Sequence, residues 1–349
     1  MVLSDPIQTL AARALTLLPP ETAHRAAVRS LAAGLGPKPA ANADPVLATA
    51  LAGIDLDHPV GLAAGFDKNA EAPDALLAAG FAFVEVGAVT PRPQAGNPKP
   101  RLFRLREDRA VINRMGFNNE GLAAVQARLE ARRDAGGVVG VNLGANKDSE
   151  DRAADYAVLL RALSGLASFF TVNISSPNTP GLRSMQTGEE LERLLKAVDD
   201  ARGVEPVFLK IAPDLGEADI DPIIEQARKW RLSGLIVSNT TLARAPELKS
   251  AHAGHQGGLS GAPLFERSTA LLKRMRQAAG PEMALIGVGG VSCADTAYAK
   301  IRAGANAVQL YTALVYEGPG LVTRIRDGLA ERLKADGFSS VREAVGADI

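Results

Sequence analysis

Eight short apolar runs, each ending in polar residues or glycine, constrain this sequence more than any other feature. They are PVGLAAG (59–65), FAFVEVGAV (81–89), VVGVNLG (138–144), FFTVNIS (169–175), VFLKIA (207–212), GLIVSNT (234–240), ALIGVGG (284–290) and AVQLYTAL (307–314). Continuous apolar runs of this length suit strands buried on both faces, and strands alternating with helices indicate a helix-covered parallel sheet. Most of the gaps hold helix-like stretches such as APDALLAAG, GEELERLLKAVDDARG and FERSTALLKRMRQAAG. Eight units within about 300 residues fit a closed (β/α)8 TIM barrel. A doubly wound open sheet is the competing arrangement, and the missing GxGxxG after an early strand counts against it. With 349 residues, 46% apolar and 22% charged, the chain can fill one large barrel core and is not mostly disordered.

The chain opens differently. In LSDPIQTLAARALTLL (3–18), Ile7, Leu10, Ala11, Ala14, Leu15 and Leu18 share one helical face. Asp5 and Arg13 interrupt it and no small-residue cleavage motif follows, so it reads as neither a signal peptide nor a membrane span. Pro19 and Pro20 break the helix and start a second, with Ala27, Val28, Leu31 and Leu35 as its apolar face. The expected organisation is an amphipathic N-terminal helical extension (1–36), a Pro-rich linker (37–45) and the barrel (46–349). The extension reads either as a helical cap or as a monotopic membrane contact with an entrance for an apolar substrate.

Charge narrows the partners. Acidic and basic residues balance at 39 each, so no global basic field invites nucleic acid. One cysteine, Cys293, and four histidines leave no internal disulfide and little for a metal site, and no metal is expected. Cys293 is expected to pack or cap rather than react.

A barrel carries its chemistry at the C-terminal strand ends. Read in order, those ends give Asp67-Lys68-Asn69, Thr90, Asn142, then Asn173, Ser175, Ser176 and Asn178. Lys210, Ser238-Asn239-Thr240-Thr241, Gly289-Gly290 and Tyr311-Thr312 follow. Any single Asn here can be a helix cap, but burying so many polar groups is costly unless they serve a site. Lys210, inside VFLKIAPD, suits either a cation that stabilises developing negative charge or a Schiff-base lysine of an aldolase-type lyase. Lys68 suits a carboxylate ligand or a simple pair with Asp67. Backbone N–H groups of Gly289, Gly290, Tyr311 and Thr312 can cradle a phosphate. GGLSGAPL (257–264) reads as a Gly-rich loop against that ligand, or as a surface turn.

Taken together, AAGFDKNA, AVINRMGFNNEG, NISSPNTPGLR, IGVGGV and QLYTAL resemble the dihydroorotate dehydrogenases over nearly the whole chain. The helix pair and the serine of NISSPNTPGLR resemble the membrane-associated, quinone-dependent class 2; the other class usually carries a cysteine base on a different loop. The resemblance implies an FMN-binding barrel that oxidises (S)-dihydroorotate to orotate in pyrimidine (UMP) biosynthesis. FMN is then the hydride acceptor and a membrane quinone the final electron acceptor. It implies Ser176 as the base taking a proton from C5 while hydride leaves C6 for flavin N5. It places substrate against Lys68, Asn113, Arg114, Met115, Gly116 and Phe117, and against Asn173, Asn178, Asn239 and Thr240. It places FMN against Ala64, Gly65, Lys68, Thr90, Asn142, Asn173, Lys210, Ser238, Thr241 and Gly261, with Gly290, Tyr311 and Thr312 holding the phosphate. Lys210 would lie beside the N1 and C2 carbonyl edge. His24, Arg104 and Tyr311 would border a quinone tunnel under the N-terminal helices, on a peripheral enzyme of the cytoplasmic membrane face. The alternatives are another FMN-dependent barrel reductase and a Schiff-base lyase built on Lys210. A reductase acting on transfer RNA would need an RNA-binding extension, and a lyase would bind no flavin.

Overall fold

In a computed structural model, residues 14–36, 42–179 and 181–349 are described. The strands, in chain order, are β1 (Thr49–Leu51), β2 (Ile54–Leu56), β3 (Val60–Leu62), β4 (Phe83–Val89), β5 (Leu102–Leu105), β6 (Ala110–Asn113), β7 (Val138–Leu143), β8 (Phe169–Asn173), β9 (Val207–Ile211), β10 (Gly234–Val237), β11 (Gly258–Gly261), β12 (Ala284–Val288) and β13 (Ala307–Leu310). The eight apolar runs become β3, β4, β7, β8, β9, β10, β12 and β13, which pair in parallel and in that order, with β13 closing on β3. The helices are α1 (Pro20–Ala32), α2 (Pro73–Ala78), α3 (Leu122–Ala131), α4 (Arg152–Leu163), α5 (Gly188–Asp199), α6 (Glu217–Lys229), α7 (Phe265–Ala279), α8 (Ala294–Arg302), α9 (Thr312–Glu317) and α10 (Leu321–Ala335).

The floor of the barrel is a layer of rings. Phe83, Phe169 and Phe208, all fully buried, lie at the N-terminal ends of β4, β8 and β9 and meet edge to face, at 6.1 Å and 5.6 Å between centroids. Neighbouring strands carry glycine where the rings cross. A Cβ on Gly61 would lie 2.3 Å from the Phe83 ring, and one on Gly140 would lie 2.1 Å from the Phe169 ring. The β1–β2 hairpin packs Leu51 and Leu56 into the same cluster and plugs this end. Any ligand must therefore enter from the opposite, C-terminal end.

That end is roofed by elements the apolar runs did not reveal. β5, β6 and β11 form a separate antiparallel sheet, so Gly258–Gly261 of GGLSGAPL is a strand rather than a loop or surface turn. It is four residues long, half glycine, and pairs with a strand distant in sequence, so no local periodicity marks it. Its glycines are needed: a Cβ on Gly258 would fall 1.9 Å from Thr240 Oγ1.

Helix α1 starts at Pro20, as its proline predicts, and ends at Ala32. Leu35 lies past its end and is 53% exposed, so it does not belong to the buried face. The first expected helix lies largely outside the described residues; Ala14 and Leu15 are its helical remnant. The helix is fastened to the roof by ions. Glu21 accepts from Arg101 at 2.7 Å and 3.3 Å, and buried Arg101 also donates to the carbonyls of Ala95 and Asn97. Arg104, on β5, donates to the Leu18 carbonyl.

Candidate active site

A cavity of about 330 Å³ occupies the C-terminal mouth of the barrel, enclosed by the strand ends, by β5, β6 and β11, and by α1. This is the size of a small-molecule site. Its centre is organised by a carboxylate. Glu85, fully buried on β4, accepts from Asn142 Nδ2 and from Gln309 Nε2, each at 2.6 Å. An ionised carboxylate only accepts, so it fixes the sense of the amides beyond it. Asn142 Oδ1 accepts from Asn173 Nδ2 at 2.9 Å. Asn173 Oδ1 in turn accepts from Ser175 Oγ at 3.0 Å and Asn239 Nδ2 at 3.3 Å. Separately, Asn178 Nδ2 donates to Asn113 Oδ1 at 3.2 Å, joining the loop after β8 to the end of β6. The result is a row of oriented amides facing the cavity.

Ser176 lines the cavity and is 5% exposed; its Oγ accepts the Asn178 backbone N–H at 3.3 Å. The loop that carries it is held by Arg183. That guanidinium donates to the Ser175 carbonyl at 3.2 Å, the Thr240 carbonyl at 2.9 Å and the Asp214 carboxylate at 2.9 Å. Phe117, at φ 54°, sets its ring against Gly144 and borders the same space.

Two lysines enter the cavity. Lys210 is 5% exposed, and its ammonium group forms no hydrogen bond to another described residue. Burial pushes its amine down, and the Glu85 carboxylate partly restores it. Lys68 donates to the Gly65 carbonyl, and burial, helped by Arg101, brings it down to about 8. It does not form an ion pair with Asp67. That carboxylate is occupied by the backbone N–H groups of Asn69, Glu71 and Ala72 at 3.3, 2.8 and 2.8 Å.

At one end Gly289 (φ 110°) and Gly290 (φ 77°) face Tyr311 and Thr312. The N–H groups of Gly290 and Thr312 have no acceptor among the described residues. A Cβ on Gly290 would lie 2.6 Å from Phe265 Cα, so only glycine lets the loop approach α7. On the side closed by α1, His24 meets the Tyr311 ring, with Nδ1 3.2 Å from the phenol oxygen, and Phe66 packs edge to face on both rings. Burial pushes the His24 imidazole down to about 3 and the Tyr311 phenol upward.

The cavity gathers Ser176 with Lys68, Asn113, Met115, Gly116, Phe117, Asn173, Asn178, Asn239 and Thr240. Ala64, Gly65, Asn142, Lys210, Ser238, Gly261, Gly290, Tyr311 and Thr312 line it, as do His24 and Arg104. Three expected residues do not. Arg114 follows the cavity-facing Asn113, so strand alternation turns it away, onto the Pro100 carbonyl and the Phe103 ring. Thr90 donates to the Arg92 carbonyl at 2.6 Å and accepts from Asn119 at 2.8 Å, behind the wall. The Thr241 hydroxyl is bound to Asp214. Sequence reasoning passed over Glu85, Gln309, Phe66, Arg109 and Ser260. Glu85 and Gln309 did carry a signal, as polar residues inside apolar runs.

The donor set suits a flat ligand with polar edges and a phosphate tail. The Lys210 ammonium group is buried without a hydrogen bond, Gln309 Oε1 is a buried acceptor with no partner, and the glycine cradle offers free N–H groups. FMN has these features. Among the described residues no cluster of His, Cys, Asp and Glu could hold a metal ion.

Comparison with known proteins fixes the family. Residues 46–333 match the model of the dihydroorotate dehydrogenase family. The chain belongs to that family. Its quinone-dependent class 2 is also the right branch. A Parvibaculum lavamentivorans protein named dihydroorotate dehydrogenase (quinone) is 58% identical over 97% of this chain and 98% of its own. A protein of the same name from Novosphingobium aromaticivorans is 56% identical over 95% and 96%. The crystal structure of Eimeria tenella DHODH in complex with ferulenol superposes with a TM-score of 0.91 at 39% identity, covering 94% of this chain and 95% of that one. Family membership implies FMN as the cofactor.

Proposed function

We propose that this cavity is where (S)-dihydroorotate is oxidised to orotate beside a bound FMN, and that a membrane quinone is reduced at the end covered by α1. The observation that carries the reading is the union of Ser176, Lys210, the Gly289–Gly290 cradle and His24 around one cavity. The reaction supplies orotate to UMP biosynthesis.

Ser176 Oγ takes the C5 proton as its own hydroxyl proton leaves through a relay to solvent. A serine hydroxyl is a weak base; the N–H donated by Asn178 favours negative charge on the oxygen as its own proton leaves, against the opposing cost of burial. Asn113, Asn173, Asn178 and Asn239 present both donors and acceptors to the imide edges of the ring. Lys68 offsets the substrate carboxylate. Met115 and Phe117 exclude water from the reacting face. FMN, when bound, supplies the acceptor for the C6 hydride. Lys210 provides a fixed positive charge for the negative charge that the transfer creates. Gly290, Tyr311 and Thr312 hold the phosphate.

The quinone end is framed by His24, Arg104 and Tyr311. Residues 1–36 act as the quinone-entry and membrane-association segment, 37–45 as a linker and 46–349 as the catalytic barrel. Leu17 and Leu18, at 80% and 41% exposure and next to the Arg104 contact, offer exposed apolar surface suited to the cytoplasmic membrane face. Among the described residues no helix is long and apolar enough to cross a membrane, and the attachment is read as peripheral.

Ser176→Ala tests the assignment. Flavin reduction by dihydroorotate in stopped flow should slow by about 10²–10⁴-fold while orotate still binds. Near-normal reduction would remove Ser176 from the mechanism.

A further inference from the structure

Lys300 is the most deeply buried cation outside the cavity. It sits on α8, is 0% exposed and has no ion pair among the described residues. A buried ammonium without a carboxylate is costly, so its retention calls for a charge that it answers. Burial lowers its amine to about 7, and Glu266 opposes this only at a distance. Its stem passes over β12, where a Cβ on Gly287 would lie 3.0 Å from Lys300 Cδ. The ammonium group ends above the Phe265 ring, 5.2 Å from its centroid.

The hydrogen bonds show where the charge is aimed. Lys300 Nζ donates to Ser268 Oγ at 2.6 Å and to Thr269 Oγ1 at 2.9 Å. An ammonium only donates, so each hydroxyl accepts from it and passes its own proton outward. Thr269 gives its proton to the Phe265 carbonyl at 2.7 Å. Ser268 Oγ lies 3.1 Å from the same carbonyl and 3.1 Å from that of Gly289. Phe265 O accepts from the Thr269 hydroxyl and, as a helical carbonyl, from the Thr269 N–H, which fills both its lone pairs and leaves the Ser268 proton for Gly289 O. That carbonyl belongs to the peptide whose other end is the Gly290 N–H, one of the free donors of the cradle. Ammonium, hydroxyl and peptide are thus aligned in one direction, and such a series strengthens its last donor.

We propose that Lys300 is the buried countercharge of the cofactor's phosphate, acting on it through Ser268 and the Gly289–Gly290 peptide. The ligand chemistry is a phosphate monoester dianion, and the proposal rests on the FMN reading above. Lys300 touches neither substrate nor cofactor; it is a positioning residue. Its effect should appear in the choice between FMN and riboflavin, which share the ring and differ in the phosphate. A lysine that merely pinned α7 to α8 would not distinguish the two.

The test uses the full chain stripped of flavin and titrated with FMN and, separately, with riboflavin, following quenching of flavin fluorescence. Lys300→Met should weaken FMN binding on the order of tenfold or more and leave riboflavin binding unchanged. Ser268→Ala keeps the cation and removes the relay, and should lose FMN affinity selectively but to a smaller extent. Should Lys300→Met fail to fold, Ser268→Ala decides alone. Equal losses for both flavins, or unchanged FMN affinity in either folded variant, would overturn the proposal. A wild-type chain that binds neither flavin would instead overturn the cofactor reading itself, and this proposal with it.

Discussion

Glu85 sets the sense of the amide row, and its own position shows how much depends on one acceptor. It holds Asn142 and Gln309 by two short bonds and is the carboxylate felt by Lys210. Glu85→Gln keeps the shape but replaces one acceptor oxygen with a donor. Asn142 or Gln309 must then turn over or lose its bond, and Lys210 loses its countercharge. The variant should be less stable by roughly 1–3 kcal/mol in denaturant unfolding. Unchanged stability would mean that the amides are oriented by something other than this carboxylate. In the sequence Glu85 shows only as an acid in an apolar run. Its partner Gln309 stands 224 residues away, so the pair exists only once the barrel has closed. The same limit explains Arg114, Thr90 and Thr241: motif position placed them near the site, but side-chain direction turned each toward a neighbour outside the cavity.

Among the elements, the barrel strands were legible because each is a continuous apolar run, and a strand buried on both faces leaves that mark. The roof was not legible. β5, β6 and β11 are four residues each and find their partners through tertiary contact. Helix α1 was legible from Pro20 onward, but its docking was not, because Arg101, Arg104 and Tyr311 come from distant segments. The docking carries a pH dependence of definite sign. Burial holds folded His24 down to about 3, with Lys68 adding to the effect, whereas an unfolded imidazole titrates near 6.5. As pH falls through 6.5 the unfolded chain takes up a proton that the folded chain refuses, so stability present above 6.5 is lost progressively toward 3. Glu21 is pushed up by burial but held below its usual 4.5 by Arg101 and Lys99, and adds its loss only at lower pH. His24→Phe should flatten the drop in unfolding midpoint between about pH 7.5 and pH 5 relative to the native chain. An unchanged slope would show that His24 is not buried in neutral form.

The whole molecule is a barrel blocked at one end and roofed at the other. Phenylalanine rings and the β1–β2 hairpin fill the N-terminal end, so the polar strand ends open only beneath the antiparallel sheet and α1. One cavity therefore takes in the glycine cradle, the amide row and His24 of α1. On the proposed reading, a single cofactor in this cavity would meet both the polar donor and the lipid-soluble acceptor. The measurement that tests it most directly is an anaerobic spectral titration of the full chain, first with dihydroorotate and then with a ubiquinone analogue. The expected result is loss of the visible flavin band on the first addition and its full return on the second. A protein without a flavin band, or one whose band survives dihydroorotate or stays bleached after quinone, would contradict the account.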